Sequence, residues 1–307
     1  MMKFSNQIYF ELKNLKLIND KNLVVLNNQT REDKIKVIKD TKSKIIFLEK
    51  IKKNLQYYRS EKSKYDKRTS SQKAKNNVAN VMTSKGNIKV LKLDNDYRRV
   101  KQFNKILKNK KILDFGCAWG GFLKSLKNVK SLNGLEIREN CIEYIKKNIK
   151  KINLFQDLNS IDKKFDIITM FHVLEHLPNQ ISILKLLKNK LKKNGKIIVE
   201  VPHAEDFLIL QNELREFKNW TFRTEHLILH THNSLRKYLS KAGFKKIDIQ
   251  FYQRYDFSNH LGWFLKRKPG GHDFYKDIVK KKLNLSYVEN IKNLKQTDTL
   301  IAVAQNS

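Results

Sequence analysis

The stretch Lys111-Ile112-Leu113-Asp114-Phe115-Gly116-Cys117-Ala118-Trp119-Gly120-Gly121 decides the fold of this chain, with Glu136 closing the next apolar run. A short buried strand leads into a tight turn of small residues and then into an amphipathic helix carrying Phe122, Leu123 and Leu126. Small residues let the backbone come close to a ligand, and a helix start offers unpaired N–H groups. In open α/β sheets ligands sit at this carboxyl edge, where an acid about 20 positions further on grips a ribose. Asp114 and Glu136 have that separation, so the run reads as a nucleoside-cofactor site.

A dinucleotide fingerprint, G-x-G-x-x-G, fits poorly. Gly116 is followed by Ala118 and then by Gly120 and Gly121, and an acid precedes the glycines. A pyrophosphate seeks N–H groups and avoids carboxylates, whereas Asp114 suits a cationic ligand without phosphate. The run resembles motif I, D-x-G-x-G-x-G, of class I S-adenosylmethionine (SAM)-dependent methyltransferases, with Ala118 at the middle glycine.

The 307 residues and 40% apolar content support a substantial core, as one domain with an appendage. No run approaches the ~20 apolar residues of a membrane span. Charges throughout Met1–Asn14 leave no signal-peptide hydrophobic region, and a cytoplasmic location is expected. Cys117 and Cys141 form no zinc-type pair, which argues against a disulfide scaffold. The formal charge of +34 would attract nucleic acid, anionic surfaces or phosphorylated substrates. Yet only 11 of the 64 basic residues are arginine, the residue nucleic-acid readers favour for its bidentate fork. Lys, Asn and Ile abound together, as an A+T-rich coding sequence produces. An anionic small-molecule or sugar substrate is therefore expected ahead of nucleic acid, and the oligomeric state is left open.

Along the chain, Asn22–Leu26 and Lys44–Leu48 flank a charged link and predict a small hairpin. Lys50–Lys67 reads as a lysine-rich helix with Tyr57 and Tyr58 on one turn, and Thr69–Gly86 as a mobile segment or lid. From about Asp94 the pattern alternates. Strands are expected at Lys111–Phe115, Ser131–Glu136, Ile152–Phe155, Phe165–Phe171 and Gly195–Val201. A helix over Ile181–Leu191 is expected to stop at Asn194-Gly195. Lys246–Tyr252, after a helix at Ser234–Ala242, and Thr299–Ala304 read as sixth and seventh strands. The expected organisation is an N-terminal appendage (1–93), a cofactor-binding core (94–252), a lid insertion (253–296) and a last strand with tail (297–307).

The fourth strand ends in His172-Val173-Leu174-Glu175-His176-Leu177-Pro178. Such F-D-x-I … H-V-L-E-H-L runs are similar to those after the fourth strand of SAM methyltransferases. With motif I, Glu136 and Gly195–Pro202, the resemblance covers Asp114 to Pro202. It implies an α/β, Rossmann-like, doubly wound seven-stranded sheet whose last strand is antiparallel, with SAM as cofactor. It also implies residue roles. Glu136 binds the ribose hydroxyls, and Gly116, Cys117 and Ala118 line the cofactor through their backbone. Asp114 helps hold the ammonium, and Asp157 bonds the adenine amine unless it is only a helix cap. Phe171 and His172 flank the sulfonium, a cation that aromatic faces attract.

Methyl transfer is an in-line displacement that depends on alignment, and a hydroxyl acceptor also needs a base. By position the candidates are His172, His176, His203, His226 and His260, with His260 and His176 preferred and His172 next. A pure loop-anchoring role for Glu175–His176 is the plain alternative. The spacing of His172, Glu175 and His176 is also close to the E-x-x-E-H metal ligands of small-RNA 2′-O-methyltransferases and some ubiquinone-pathway O-methyltransferases. His203 would then be a fourth ligand, and a divalent ion would orient the acceptor. This metal reading is kept as the alternative.

Three further runs look like those of bacterial methyltransferases of surface-polysaccharide and nucleotide-sugar pathways. They are Thr224–Leu227, Gln253–Trp263 and Lys268–His272, and the Asp96, Arg98, Arg99 segment fits the same group. Tyr, Trp and His suit sugars, and Arg98 and Arg254 suit a diphosphate. Arg98, Arg254, Tyr255 and His272 are thus the substrate-binding candidates, and a sugar hydroxyl is the expected acceptor. A metal-assisted RNA 2′-O-methyltransferase and a non-catalytic SAM-fold scaffold stand as alternatives. The scaffold needs a broken cofactor site, whereas Asp114, Gly116 and Glu136 are all present.

Overall fold

The computed structural model describes residue 4 and residues 6–52, 81–82, 88–89, 93–275 and 277–307. The helix expected over Lys50–Lys67, with Tyr57 and Tyr58, and the segment Thr69–Gly86 fall almost wholly outside the described residues. The chain divides into two compact units. One comprises Met1–Lys52, His172–Leu184 and Val199–Ala304, the other Lys53–Phe171, Lys185–Ile198 and Gln305–Ser307.

Strands β1 (Leu23–Asn27), β2 (Val37–Asp40) and β3 (Ile46–Leu48) come first. Next are β4 (Lys111–Phe115), β5 (Ser131–Leu135), β6 (Ile152–Phe155), β7 (Phe165–Phe171) and β8 (Leu191–Pro202). The chain then adds β9 (Ile228–Leu229), β10 (Lys245–Tyr252) and β11 (Thr299–Gln305). A seven-stranded sheet has the order β10-β11-β8-β7-β4-β5-β6. The pairs β4–β5, β4–β7 and β5–β6 are parallel. The last strand is antiparallel to β8. Asn194 N donates to Asn306 O (2.7 Å) and His203 N to Asp298 O (2.9 Å), so numbers fall along one strand as they rise along the other. Helices flank this sheet, giving the Rossmann-like arrangement expected from the sequence.

Parallel strands covered on both faces must be apolar on both. Ile112, Leu113, Ile168, Met170, Ile197, Ile198 and Val199 are accordingly all buried. The register puts Asp114 opposite Gly134 on β5 and Thr169 on β7. A carboxylate therefore stands at the centre of an apolar sheet, beside the turn that ends β4.

Two details differ from expectation. Asn194-Gly195 is not a helix stop, because the helix Gln180–Asn189 has already ended and β8 begins at Leu191. Asn194 takes φ +63° inside the strand, and its amide and the Gly195 carbonyl both pair with Asn306. Pairing with the C-terminus thus overrides the local turn signal. The N-terminal hairpin is instead part of a four-stranded sheet of order β1-β2-β3-β9. The unforeseen β2 is short, and β9 comes from residues far along the chain. Local patterning does not encode such a partner.

Candidate active site

The turn after β4 has left-handed backbone at Gly116 (φ 75°), Ala118 (φ 50°) and Gly120 (φ 72°). The amides of Gly116 and Cys117 both donate to the Leu135 carbonyl, at 2.8 and 3.1 Å, which pins the turn to the end of β5. There Glu136, only 4% exposed, accepts the Ala118 amide on Oε2 at 2.8 Å. Its Oε1 accepts the amides of Ile137 and Arg138, and Arg138 Nε and Nη2 reach Oε1 and Oε2 at 3.0 and 2.9 Å. Burial opposes ionisation of Glu136, but the Arg138 guanidinium and these amides prevail and hold its pKa below the usual range. The carboxylate is saturated with donors, so a ligand diol would have to take over the places held by Arg138.

Asp114 is buried and accepts the Thr169 hydroxyl at 2.7 Å. Burial pushes its pKa up to about 7, and the Thr169 bond offsets only part of that rise. An arriving ammonium would favour its ionised form. Phe171 meets Phe122 edge-on with centroids 5.0 Å apart, and the Arg99 guanidinium lies 4.4 Å over the Phe171 ring. Asp96 holds Arg99 at 3.0 Å. Phe171 therefore already serves as a platform for a cation. Cys117 is buried, and a β-carbon at Gly134 would come within 2.7 Å of its sulfur. Asp157 is exposed and accepts the Asn159 amide at 3.1 Å, the geometry of a turn cap. Arg98 donates to Gln102 at 3.2 Å on the helix Leu93–Leu107.

The other unit gathers a separate set of polar groups. His172, with φ 54°, has Nδ1 3.2 Å from Glu175 and Nε2 3.1 Å from Glu200, both carboxylates fully buried. Arg254 Nη1 is 2.9 Å from the same Nε2. The amides of Arg254 and Tyr255 donate to the buried Asp298 carboxylate at 2.9–3.1 Å. Tyr255 is 49% exposed, with its ring 5.5 Å from the Arg254 guanidinium. Burial pushes the His260 pKa down to about 4. Both its nitrogens are engaged, Nδ1 with Tyr287 Oη at 2.6 Å and Nε2 with Gln253 at 3.2 Å. His176 directs Nδ1 to the Glu225 carbonyl at 2.8 Å, and His203 directs Nδ1 to that of Thr297 at 2.8 Å. His272 is the second residue of the short helix Gly271–Phe274, but its side chain is outside the described part of the molecule.

The sequence reading missed Glu200, Asp298 and Arg138, and it took Arg99 only as part of the Asp96, Arg98, Arg99 segment, not as a partner of Phe171. Glu200 did leave a trace, since a lone acid in Ile197-Ile198-Val199-Glu200-Val201 marks a charge that needs a buried partner. The Arg99–Phe171 contact left none, because it depends on the folded geometry, whereas Arg138 stands two residues from its partner Glu136. On the cofactor side the acceptor groups suit SAM. An ionised buried carboxylate beside a turn of small residues, a second buried acid and an aromatic platform match a diol, an ammonium and a sulfonium.

The 29%-identical tRNA U34 carboxymethyltransferase of Nautilia profundicola aligns over 187 residues, 54% of this chain and 60% of the relative. The ubiquinone biosynthesis O-methyltransferase of Glaesserella parasuis is 30% identical over 104 residues, 29% of this chain and 44% of the relative. The chain thus spans about half the length of these curated relatives. Phosphoethanolamine N-methyltransferase 2 of Haemonchus contortus, solved with SAM, superposes with a TM-score of 0.50 at 12% identity. It covers 85% of this chain and 61% of that one, a likeness of fold. A methyltransferase-domain family model matches residues 92–249, just over half of the chain. The chain belongs to this methyltransferase-domain family.

Proposed function

We propose that the protein transfers the methyl group of SAM to a hydroxyl oxygen of a polar acceptor. The observation that carries the reading is the buried, ionised Glu136 bonded to the left-handed Ala118 amide at the end of the sheet. Bound SAM supplies a methyl carbon made electrophilic by its sulfonium. Glu136 would hold the ribose diol, Asp114 would face the ammonium, and Phe171 would offer a π-face. Oxygen as the accepting atom is supported by the name of the ubiquinone-pathway relative. The sugar hydroxyl expected from Gln253–Trp263 finds no counterpart among the relatives above, which speak for tRNA or a ubiquinone precursor.

Isothermal titration with SAM, followed by counting of labelled methyl groups on nucleotide sugars, phenolic rings and bulk tRNA, tests this proposal. Glu136→Gln is expected to weaken SAM binding by about tenfold or more, through loss of a charge-assisted bond. Unchanged affinity in that variant, or no SAM binding by the native chain, overturns the reading. Labelling of nitrogen or carbon instead of oxygen would retain the cofactor and discard the acceptor.

A further inference from the structure

A chain of hydrogen bonds beyond β10 runs through Gln253 and His260 and ends on the phenol of Tyr287. Gln253 follows β10 and Asp298 precedes β11, while His260 and Tyr287 stand on the helices Phe257–Lys266 and Lys281–Asn293. The Asp298 amide donates to Gln253 Oε1 at 3.1 Å, and Gln253 Nε2 donates to the Tyr255 carbonyl at 2.9 Å. Gln253 Nε2 also lies 3.2 Å from His260 Nε2, and His260 Nδ1 lies 2.6 Å from Tyr287 Oη.

The two backbone partners fix the direction of every proton along this chain. An amide only donates and a carbonyl only accepts, so the Gln253 side chain cannot be turned over. Its NH2 group gives one hydrogen to Tyr255 and the other to His260. His260 Nε2 therefore accepts, and the neutral ring carries its proton on Nδ1, which donates to the Tyr287 oxygen. Burial, which pushes the His260 pKa down to about 4, agrees with a neutral ring. Tyr287 thus accepts from His260 and keeps its own O–H to give. No other hydrogen bond engages that phenol among the described residues. A purely structural chain would end on a satisfied group, whereas this one ends on a free donor that is only partly buried.

Asp206 supplies a second free group. Its Oδ1 accepts the Leu208 amide at 2.8 Å, and its Oδ2 has no hydrogen-bond partner among the described residues. Burial and the nearby Asp298 push its pKa up to about 8, and burial and Asp206 in turn raise that of Tyr287. Both groups are thus uncharged near neutral pH. Flat rings stand beside them, with Phe257 4.5 Å from Tyr287 and Phe207 parallel to His260 at 6.1 Å between centroids. An anion would meet two acids here, and O–H groups offer a cation hydrogens rather than lone pairs. We propose that Tyr287 and Asp206 bind the uncharged oxygen of a small flat ring, with Tyr287 aimed by His260 and Gln253. The inference stands apart from the methyl-transfer reading, since binding is read without SAM or turnover.

Phenol is titrated into the full native chain and followed by saturation-transfer NMR, with benzylammonium and benzoate as charged rings of similar size. Saturable phenol binding, tighter than that of either charged probe, is expected. Tyr287→Phe keeps the ring and removes the donor, so it should weaken phenol binding about three- to tenfold with its circular dichroism unchanged. Should that variant not fold, the native chain still decides through long-range 1H–15N spectra. His260 must show the tautomer with its proton on Nδ1, and phenol must shift the His260 ring nitrogens while leaving those of His203 and His230 in place. No saturable phenol binding, tighter binding of a charged probe, unchanged affinity in folded Tyr287→Phe, or the opposite His260 tautomer would overturn the site.

Discussion

Asp114 joins cofactor chemistry to stability. Its folded pKa of about 7 lies above the ordinary 3.8, so the folded chain keeps a proton that the unfolded chain has given up. The stability contributed by that proton is present at low pH and is lost as pH rises through about 7. Asp114→Asn should therefore raise Tm at about pH 8 relative to native protein, with little change near pH 4, in paired thermal melts. Equal shifts at both pH values would show that the burial cost has another origin. If the ammonium of SAM ionises Asp114, binding near neutral pH also releases a proton, and the heat will differ between buffers of different ionisation enthalpy. Arg138 supplies a second residue-scale test. It holds the carboxylate that a ribose would need, so Arg138→Leu should tighten SAM binding several-fold by calorimetry. Weaker binding would mean that Arg138 orients Glu136 for the ligand. Asp114 and Glu136 could be read from the sequence because strand ends and their spacing are local features. Arg99 over Phe171 and Glu200 beside His172 could not, because only the folded chain brings them together.

The same contrast holds for elements. The runs at β4 and β7 were legible because doubly covered parallel strands require largely apolar stretches bounded by turns. The strand β5 and the edge strand β6, with polar residues among them, were legible from their place in the β–α alternation. Asn194-Gly195 misled because its pairing with Asn306 is set by the opposite end of the chain. Close backbone approach leaves equally specific demands. The helix Phe257–Lys266 meets Gly271–Phe274 so tightly that a β-carbon on Gly262 would lie 2.5 Å from Gly271 Cα. No flexible side-chain end is there to yield, so Gly262→Ala should cost about 1–3 kcal/mol of overpacking, measured by urea unfolding. A variant with native stability would show that the two helices separate readily. Gly134 is a milder case, because its nearest neighbours are the side chains of Cys117, Leu123 and Leu154. Cys117→Ala should accordingly rescue part of the loss in Gly134→Ala.

At the scale of the whole molecule, the charge of +34 predicts attraction to any polyanion. Binding to heparin and to unrelated RNAs should fall along one common salt slope, as a lysine-rich surface without base readout requires. An RNA that keeps its affinity at high salt would instead mark a specific nucleic-acid substrate. Among the described residues no helix is long and apolar enough to cross a membrane. The pairing of β3 with β9 bears on how the chain is made. Ile46 and Phe47 are matched by Leu229 and Ile228, so β3 leaves the ribosome long before its neighbour exists. At about 5–20 residues per second, its open edge waits roughly 10–40 s for that strand. For that interval the nascent chain exposes an unpaired β-edge, the moment when a chaperone, or another nascent copy, has its opportunity.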